Sequence, residues 1–252
     1  MKCAVMQPAY LPWMGYFDLI QSVDCFVFLD DVKVEKSSWQ THNRLAQKSG
    51  EYYLSVPVLL PDRSKTQIRN ALIDYSKNWV RKHLASLRQS YGKSPFFDQC
   101  YPVLETIIQA RHDNLADLNI RLTQALCQVL NTNVRFRRSS ALPEISGYKD
   151  KRLVSICENL GCETYLSPVG AANYMEKDNP GGALAKAGIT LQYQNFSPLP
   201  YPQRCSGFLP RLSIVDALMN CGPEKTRELI HNGHNEPFDS KSVREMCPDL
   251  LK

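Results

Sequence analysis

The sequence predicts an α/β fold built on a mostly parallel sheet, with a helical insertion or subdomain. Three observations predict it. Short apolar runs at residues 3–6 and 25–29 flank a short helical segment, which is typical of a β-α-β unit. Helical periodicity then occupies residues 76–131, with leucines along one face. Beyond it, short apolar runs again alternate with helical segments, which favours further parallel strands.

The individual elements follow from these patterns in chain order. The first part predicts strands at 3–6, 25–29 and 52–58 and a helix beginning at 17–22. The helical block predicts helices at 78–91, 96–111 and 115–130. The last part predicts strands at 134–136, 162–166 and 189–193 and helices at 151–161 and 212–221, with Gly161 ending the former and Ser213 starting the latter. We therefore divide the chain into an N-terminal β-α-β half (1–75), a helical subdomain (76–131), a C-terminal α/β half (132–222), and a helix and tail (223–252).

The composition is that of a globular protein with a full core. The chain has 252 residues, of which 43% are hydrophobic and 22% charged. Its nine cysteines lie singly in apolar settings, which predicts reduced, buried thiols rather than a disulfide framework. No apolar run approaches the ~18 residues that span a bilayer, and the first residues lack the pattern of a signal peptide. We expect no membrane span and a cytoplasmic location.

The loop that follows the first apolar run is the main candidate for a binding site. It carries an amide, three aromatic rings and a glycine, namely Gln7, Tyr10, Trp13, Tyr16 and Gly15. In open α/β sheets ligands bind beyond the carboxyl ends of the strands, so this loop should face the same crevice as Asp30 and Asp31, which end the second strand. The rings are suited to sandwich a base or a sugar, although packing in the core or in a lid would also explain them.

A second group of candidates follows the acid pair. It comprises a ring, two amides and a guanidinium, which would make a clamp for a diphosphate and a sugar. These groups belong to Trp39, Gln40, Asn43 and Arg44. His42 lies within the same stretch and joins Asp30 and Asp31 as a candidate catalytic residue. We expect Gln7, Tyr10, Trp13, Asp30, Trp39, Asn43 and Arg44 to converge.

Further candidates follow strand ends later in the chain. Ser167 comes directly after an apolar run, where backbone N–H groups often approach an anion, and a plain turn is the alternative. Tyr201 and Gln203 follow the next predicted strand in the same way. The arginine-rich run at Arg135–Arg138 could hold phosphate or could simply coat the surface.

These residues also resemble a known family. The chain resembles the WbqC-like proteins in several segments. They are the motif Gln7-Pro8-x-Tyr10-Leu11-Pro12-Trp13-x-Gly15-Tyr16-Phe17, the acids Asp24 and Asp30, the stretch Trp39-Gln40-x-x-Asn43-Arg44, and later Tyr165-Leu166-Ser167 and Tyr201-x-Gln203. The resemblance runs from about residue 2 to residue 222. One departure is His42, where the family has arginine more often. The resemblance implies a cytoplasmic bacterial enzyme associated with amino sugars and with the biosynthesis of surface polysaccharides such as O-antigen.

A weaker likeness concerns the topology of the opening segment. The segment consists of a strand, a loop, the start of a helix and a second strand that ends in an acid. This order resembles the start of the pantothenate-synthetase and nucleotidyltransferase superfamily, with Trp13 and Tyr16 where its two histidines would lie. This implies a Rossmann-like fold and a nucleotide ligand. Without both imidazoles, which would stabilise a pentavalent phosphate, a nucleotidyltransferase-like enzyme is less favoured than nucleotide binding. The signature His231-Asn232-Gly233-His234 lies near the C-terminus, where chance explains it better.

Other motifs are missing from the sequence. No Gly-x-Gly-x-x-Gly follows the first strand, and there is neither a Walker loop nor a Cys-x-x-Cys pair. We therefore predict no metal site and leave the cofactor open.

Two main classes of function fit these observations. In the first, the protein is a transferase or ligase that attaches an acyl or aminoacyl group to a nucleotide-linked amino sugar, with tRNA open as a donor. Asp30 or Asp31 would then take a proton from the sugar ammonium, while Arg44 and Gln7 hold phosphate and sugar. In the second, it is a non-catalytic module that binds a sugar nucleotide or a nucleic acid. The small net charge of +5 disfavours nucleic acid as the main partner.

Overall fold

The structure, a computed structural model, describes residues 1–35, 38–48, 50–177 and 179–246. Within these ranges its strands are β1 (Lys2–Met6), β2 (Cys25–Phe28), β3 (His42–Gln47), β4 (Gly50–Ser55), β5 (Val58–Leu59), β6 (Leu72–Ile73), β7 (Arg135–Arg138), β8 (Thr164–Ser167), β9 (Thr190–Phe196) and β10 (His234–Phe238). Its α-helices are α1 (Met14–Gln21), α2 (Trp79–Tyr91), α3 (Phe97–Gln109), α4 (Leu115–Val129), α5 (Asp150–Leu160), α6 (Ala172–Met175), α7 (Gly182–Lys186), α8 (Ile214–Gly233) and α9 (Ser240–Met246).

The central sheet has six strands in the order β10-β9-β8-β1-β2-β7. All neighbours in it run parallel except β10, which pairs antiparallel with β9. Two small antiparallel pairs, β3 with β4 and β5 with β6, lie outside this sheet. The predicted α/β fold with a mostly parallel sheet is thereby confirmed, whereas the Rossmann-like description stays a prediction.

Two hydrophobic cores lie on opposite faces of the sheet, because successive strand residues point to opposite sides. Ala4 and Phe26 belong to the core that contains residues of α1, α2, α3, α4 and α8. Their neighbours Cys3, Val5 and Cys25 belong to the other core, which contains residues of α5, α6, α7 and α9. The helices of the block at 76–131 therefore share a core with one face of the sheet, and the domain boundaries stay a prediction.

Most predicted elements are confirmed, and their ends have a local cause. Asn114 caps α4, since its side chain accepts a hydrogen bond from the N–H of Asp117 at 2.9 Å. Gly161 ends α5 in the left-handed region, with φ of 67°, where a residue with a Cβ would be strained. Ser213 caps α8 through the N–H of Val215, as the sequence predicted.

The sequence missed some elements. The sequence analysis assigns no strand to the residues that form β3, and β10 lies in a stretch predicted as helix and tail. Residues 247–252 of that tail lie outside the described residues. The eight cysteines in the described part of the chain are free, and six of them are buried. In that same part, no helix combines the length and apolar character that crossing a bilayer requires.

Candidate functional site

A cavity of about 380 Å³ lies at the carboxyl end of β1, beside the start of α1. We call residues 7–13, which form one wall, the cavity loop. The lining brings together several residues that the sequence singled out, namely Gln7, Trp13, Tyr16, Trp39, Gln40, Asn43 and Arg44. Arg211, almost two hundred residues further along the chain, joins them.

Two buried asparagines hold the cavity loop in shape. The amide nitrogen of Asn43, on β3, donates to the carbonyl oxygens of Tyr10 at 3.1 Å and Leu11 at 2.8 Å. Asn119, on α4, donates to the carbonyls of Pro8 at 3.0 Å and of Gln40 at 2.8 Å. Leu11 has a φ of 44°, a strained value for a residue with a branched side chain, and the bond from Asn43 helps to hold it there.

A pair of amides spans the floor of the cavity. Gln40 Nε2 donates to Gln7 Oε1 at 2.7 Å, and the hydroxyl of Tyr16 donates to the backbone carbonyl of Gln7 at 3.0 Å. Among the described residues Gln7 Nε2 has no hydrogen-bond partner. The amide of Gln7 is therefore fixed in orientation and still has a donor for a ligand.

Two tryptophan rings lie along the cavity, each beside an arginine. The guanidinium carbon of Arg211 lies 5.8 Å from the ring centre of Trp13, and that of Arg44 lies 5.6 Å from the ring centre of Trp39. The side chain of Trp39 is 50% exposed. Gly15 makes room for Trp13, because a Cβ at that position would lie 2.3 Å from the indole ring.

The two arginines differ in their electrostatic partners. Arg44 forms an ion pair with Glu51 at 2.7 Å. For Arg211 no carboxylate partner lies among the described residues. No acidic side chain of the described part of the chain lines the cavity, so its lining carries a net positive charge. The cavity can thus accept a ligand with a flat ring and an anionic group.

The cavity residues fall within a region shared with known proteins. The model of the WbqC-like protein family matches residues 7–228. The chain belongs to the WbqC-like protein family. It is also 33% identical, over 224 residues, to the uncharacterized protein Rv1507c of Mycobacterium tuberculosis, a match that covers 88% of this chain and 95% of that protein. No solved structure matches the chain.

In this WbqC-like protein the predicted catalytic acids lie outside the cavity lining. They form what we call the acid cluster, which consists of Asp30, Asp31, Ser139, Ser140 and Arg152. Asp30 has no exposed surface and accepts from the backbone N–H of Ser140 at 3.1 Å and from the Ser140 hydroxyl at 2.8 Å. Asp31 accepts from Ser139 Oγ at 2.6 Å and pairs with Arg152 at 2.5 Å. Each carboxylate oxygen of both acids thus already has a partner within the protein.

His42 lies on β3, next to the cavity but not in its lining. Its ring centre is 5.3 Å from that of Trp39 and 5.5 Å from that of Tyr53. Burial lowers the pKa of His42, which favours the neutral form of the ring. His42 therefore provides an aromatic neighbour for the half-exposed ring of Trp39.

The other predicted binding residues also lie outside the lining of the cavity. Tyr10 is fully buried, and its hydroxyl lies 2.9 Å from Nδ1 of His83. Ser167 is fully buried, with its hydroxyl donating to the Pro168 carbonyl at 3.2 Å. Burial and then the neighbouring Asp216 raise the pKa of the Tyr201 hydroxyl. The expected convergence thus holds for Gln7, Trp13, Trp39, Asn43 and Arg44 and not for Tyr10 or Asp30.

Gly15 is buried in the first turn of α1, and Gln203 binds the backbone of Leu209.

Sequence reasoning missed Arg211 and Asn119. Each lies far along the chain from the cavity loop, and neither belongs to a motif that marks it. Arg211 also has a φ of 59°, a conformation that only the structure reveals.

The cysteine, histidine and carboxylate side chains of the described residues form no group of three or more that could hold a metal ion. The cavity itself is lined by amides, aromatic rings and arginines. Such groups bind organic and anionic ligands rather than metal ions.

Proposed function

We propose that this protein is a transferase or ligase that attaches an acyl or aminoacyl group to a nucleotide-linked amino sugar, in the biosynthesis of surface polysaccharide. The sugar nucleotide binds in the cavity at the end of β1. Both partners of this reaction occur in the cytoplasm, where the protein would act.

The observation that carries the proposal is the pairing of two tryptophans with two arginines around the cavity. Trp13 and Trp39 offer flat faces to a base or a sugar ring, and Arg44 and Arg211 offer guanidinium groups to phosphate. The cavity volume of about 380 Å³ falls within the range of about 300–1,000 Å³ that small-molecule sites occupy.

The order of the strands supports a nucleotide as part of the ligand. Counted along the chain, the five parallel strands of the central sheet are β1, β2, β7, β8 and β9, and they lie in the order third, second, first, fourth, fifth. Dinucleotide-binding Rossmann folds share this order and bind ligands where the order reverses, at the carboxyl end of the first strand. The cavity begins at Met6 and Gln7, at that end of β1. This supports the Rossmann-like description.

In the proposed reaction the amine of the sugar attacks the carbonyl carbon of the donor. A C–N bond forms, the leaving group of the donor departs with the bonding electrons, and a base takes the proton of the ammonium. Asp30 or Asp31 is the proposed base, because Asp30 follows Leu29, whose N–H donates to the carbonyl of Met6 in the cavity lining at 2.8 Å. Reaching the amine would require Asp30 to exchange its bonds to Ser140.

A second candidate is a non-catalytic module that binds a sugar nucleotide for a partner enzyme. One observation favours it: the acids that could act as bases are occupied by serines and an arginine rather than aimed into the cavity. Such a module would need the cavity and not the acids.

The test is to incubate the protein with a panel of nucleotide-linked amino sugars together with acyl-CoA, aminoacyl-tRNA, or amino acid and ATP. Mass spectrometry then looks for an amide product. The product identifies donor and acceptor, and its dependence on ATP distinguishes a ligase from a transferase. Tight binding of a sugar nucleotide with no product from any donor would favour the binding module. Binding of none of them would overturn both candidates.

A further inference from the structure

We propose that Arg211 is the residue that binds the phosphate of the ligand in the cavity, and that Gln203 is a positioning residue that holds Arg211 in place. The inference rests on the proposed function, since it assumes that the ligand carries phosphate. It transfers to Arg211 a role that the sequence assigned to Arg44.

The first argument concerns charge. Arg44 NH1 donates to Glu51 Oε2 at 2.7 Å, so its positive charge already has a partner. Arg211 lines the same cavity, is exposed, and has no carboxylate partner in the described part of the chain. A phosphate would compete with Glu51 for Arg44, whereas it meets no such competitor at Arg211. Arg211 is therefore the better anchor for an anion.

The second argument concerns the backbone that carries Arg211. We call residues 209–214 the mouth segment. Its C-terminal end is fastened to two residues of the cavity lining, because the N–H of Ser213 donates to the carbonyl of Arg44 at 3.0 Å and the N–H of Ile214 donates to that of Pro12 at 2.8 Å. The Arg44 guanidinium also donates to the carbonyl of Arg211 at 3.3 Å. Arg44 thereby acts on the mouth segment as well as on the ligand.

The backbone of Arg211 is strained, and the mouth segment sustains that strain. Its φ of 59° lies in the left-handed region, which residues with a Cβ rarely adopt. Such conformations persist only where the surrounding structure fixes them, and they occur often at ligand sites. The strain is consistent with a backbone that is held to present one side chain.

Gln203 fixes the other end of the mouth segment. Its Oε1 accepts from the N–H of Leu209 at 2.7 Å, and its Nε2 donates to the carbonyl of Leu209 at 3.0 Å. A single amide side chain thus satisfies both backbone groups of a residue two positions before Arg211, as a neighbouring strand would. Gln203 lies outside the cavity lining, so it acts on a ligand only through this segment.

The contact that the Arg211 guanidinium makes is weak enough for a ligand to replace it. Its guanidinium lies over the ring of Trp13, a contact that is weak at an exposed site. Charge-assisted hydrogen bonds to phosphate are stronger than such a contact. Arg211 can therefore leave the ring of Trp13 when a phosphate enters, and the freed ring can stack on the base or sugar.

The test measures binding of nucleosides, nucleoside diphosphates and nucleotide-linked sugars to the full chain by calorimetry. Arg211→Gln should lower the affinity for diphosphate compounds at least about tenfold and leave that for nucleosides unchanged. Arg44→Gln should have a smaller effect. Arg204→Gln is the matched control, since it removes the same charge from the same loop outside the cavity lining, and it should stay within about twofold.

For Gln203 the measured quantity is the loss of affinity for diphosphate compounds compared with the loss for nucleosides. Gln203→Leu should weaken diphosphate binding several-fold without weakening nucleoside binding, whereas a merely structural residue would lower Tm and leave that difference unchanged. If the parent binds diphosphate compounds and Arg211→Gln binds them equally well, this inference is overturned and the proposed function stands. If the parent binds no diphosphate compound, both fail.

Discussion

Two regions at the carboxyl edge of the sheet carry polar side chains, and they differ in what those side chains bind. In the cavity, Trp39 is half exposed and Arg211 has no carboxylate partner among the described residues. In the acid cluster, Asp30 is fully buried and Asp31 is paired with Arg152. The first region keeps hydrogen-bonding and stacking capacity for a ligand, whereas the second uses that capacity within the protein.

The difference teaches that a polar residue at a strand end is not by itself a sign of function. A buried carboxylate whose oxygens already accept hydrogen bonds contributes to the fold, and removing it leaves buried donors without partners. An exposed ring or a guanidinium without a partner contributes little to the fold and can bind a ligand. Substitutions in the two regions should therefore change different quantities.

The largest expected effect would break this comparison. If Asp30 is the base of the proposed reaction, Asp30→Asn should lower turnover by about 10²–10⁴-fold and leave the affinity for the sugar nucleotide largely intact. Steady-state rates of amide formation, once a donor is identified, measure this. Asp31→Asn tests the neighbouring acid in the same assay. Turnover within a few-fold of the parent in both variants would show that neither acid is the base.

The next effect concerns stability. Asp30→Ala removes the acceptor of two bonds from the partly buried Ser140 and of one from the buried hydroxyl of Ser139 at 3.3 Å, and should lower the free energy of unfolding by about 3 kcal/mol. Asp30→Asn keeps the volume and one acceptor and should cost less. Denaturant unfolding of the parent and both variants measures the difference. An Ala variant as stable as the parent would mean that water reaches the acid cluster.

The sequence predicted much of the fold because its central elements are locally encoded. The apolar runs of β1 and β2 and the helical periodicity of α2, α3 and α4 each need only their own residues to be recognised. Strand β10 was missed because it is a mostly exposed edge strand that contains Pro237, so it carries no apolar alternation. Strand β3 has two adjacent buried residues and likewise lacks a clean period.

The candidate site was predicted in part for the same reason. Gln7, Trp13 and Arg44 lie in dense local motifs and reach the cavity, but the sequence could not show that the Tyr10 side chain turns into the core. That direction follows from its bond to His83, which only folding creates. Asn119 and Arg211 likewise enter the site through contacts with distant segments. Tertiary contacts, rather than local patterns, decide which polar groups stay free.

The buried ring of His83, which contacts Tyr10 of the cavity loop, should make the stability of the protein depend on pH. Burial lowers the pKa of His83 from 6.5 to about 4, while its Nε2 contacts the Ser55 carbonyl at 3.1 Å. The unfolded chain binds more protons than the folded one between these values, so stability is complete above about pH 6.5 and falls as the pH is lowered through this window.

From pH 7 to pH 5 this histidine should cost about 2 kcal/mol of the free energy of unfolding. The control is His83→Gln, which has no titrating ring and should lose less over the same interval. Denaturant unfolding at both pH values compares the two. An equal loss in parent and variant would show that another group causes the pH dependence.

The smallest expected change in stability belongs to a substitution that should clearly lower the affinity for the ligand. Trp39→Ala removes a ring that is 50% exposed, so the free energy of unfolding should change by no more than about 0.5 kcal/mol. Stacking of a base on an aromatic ring contributes about 1–3 kcal/mol, so affinity for a nucleotide-linked sugar should fall about tenfold or more. Tyr53→Ala, another half-exposed ring that lies outside the cavity lining, is the matched control and should leave affinity nearly unchanged. Calorimetric titration of the three proteins measures the affinities, and denaturant unfolding measures the stabilities. Equal affinity for parent and Trp39→Ala would remove the ring of Trp39 from the site, and a large loss of stability would place it with the filled groups of the acid cluster instead.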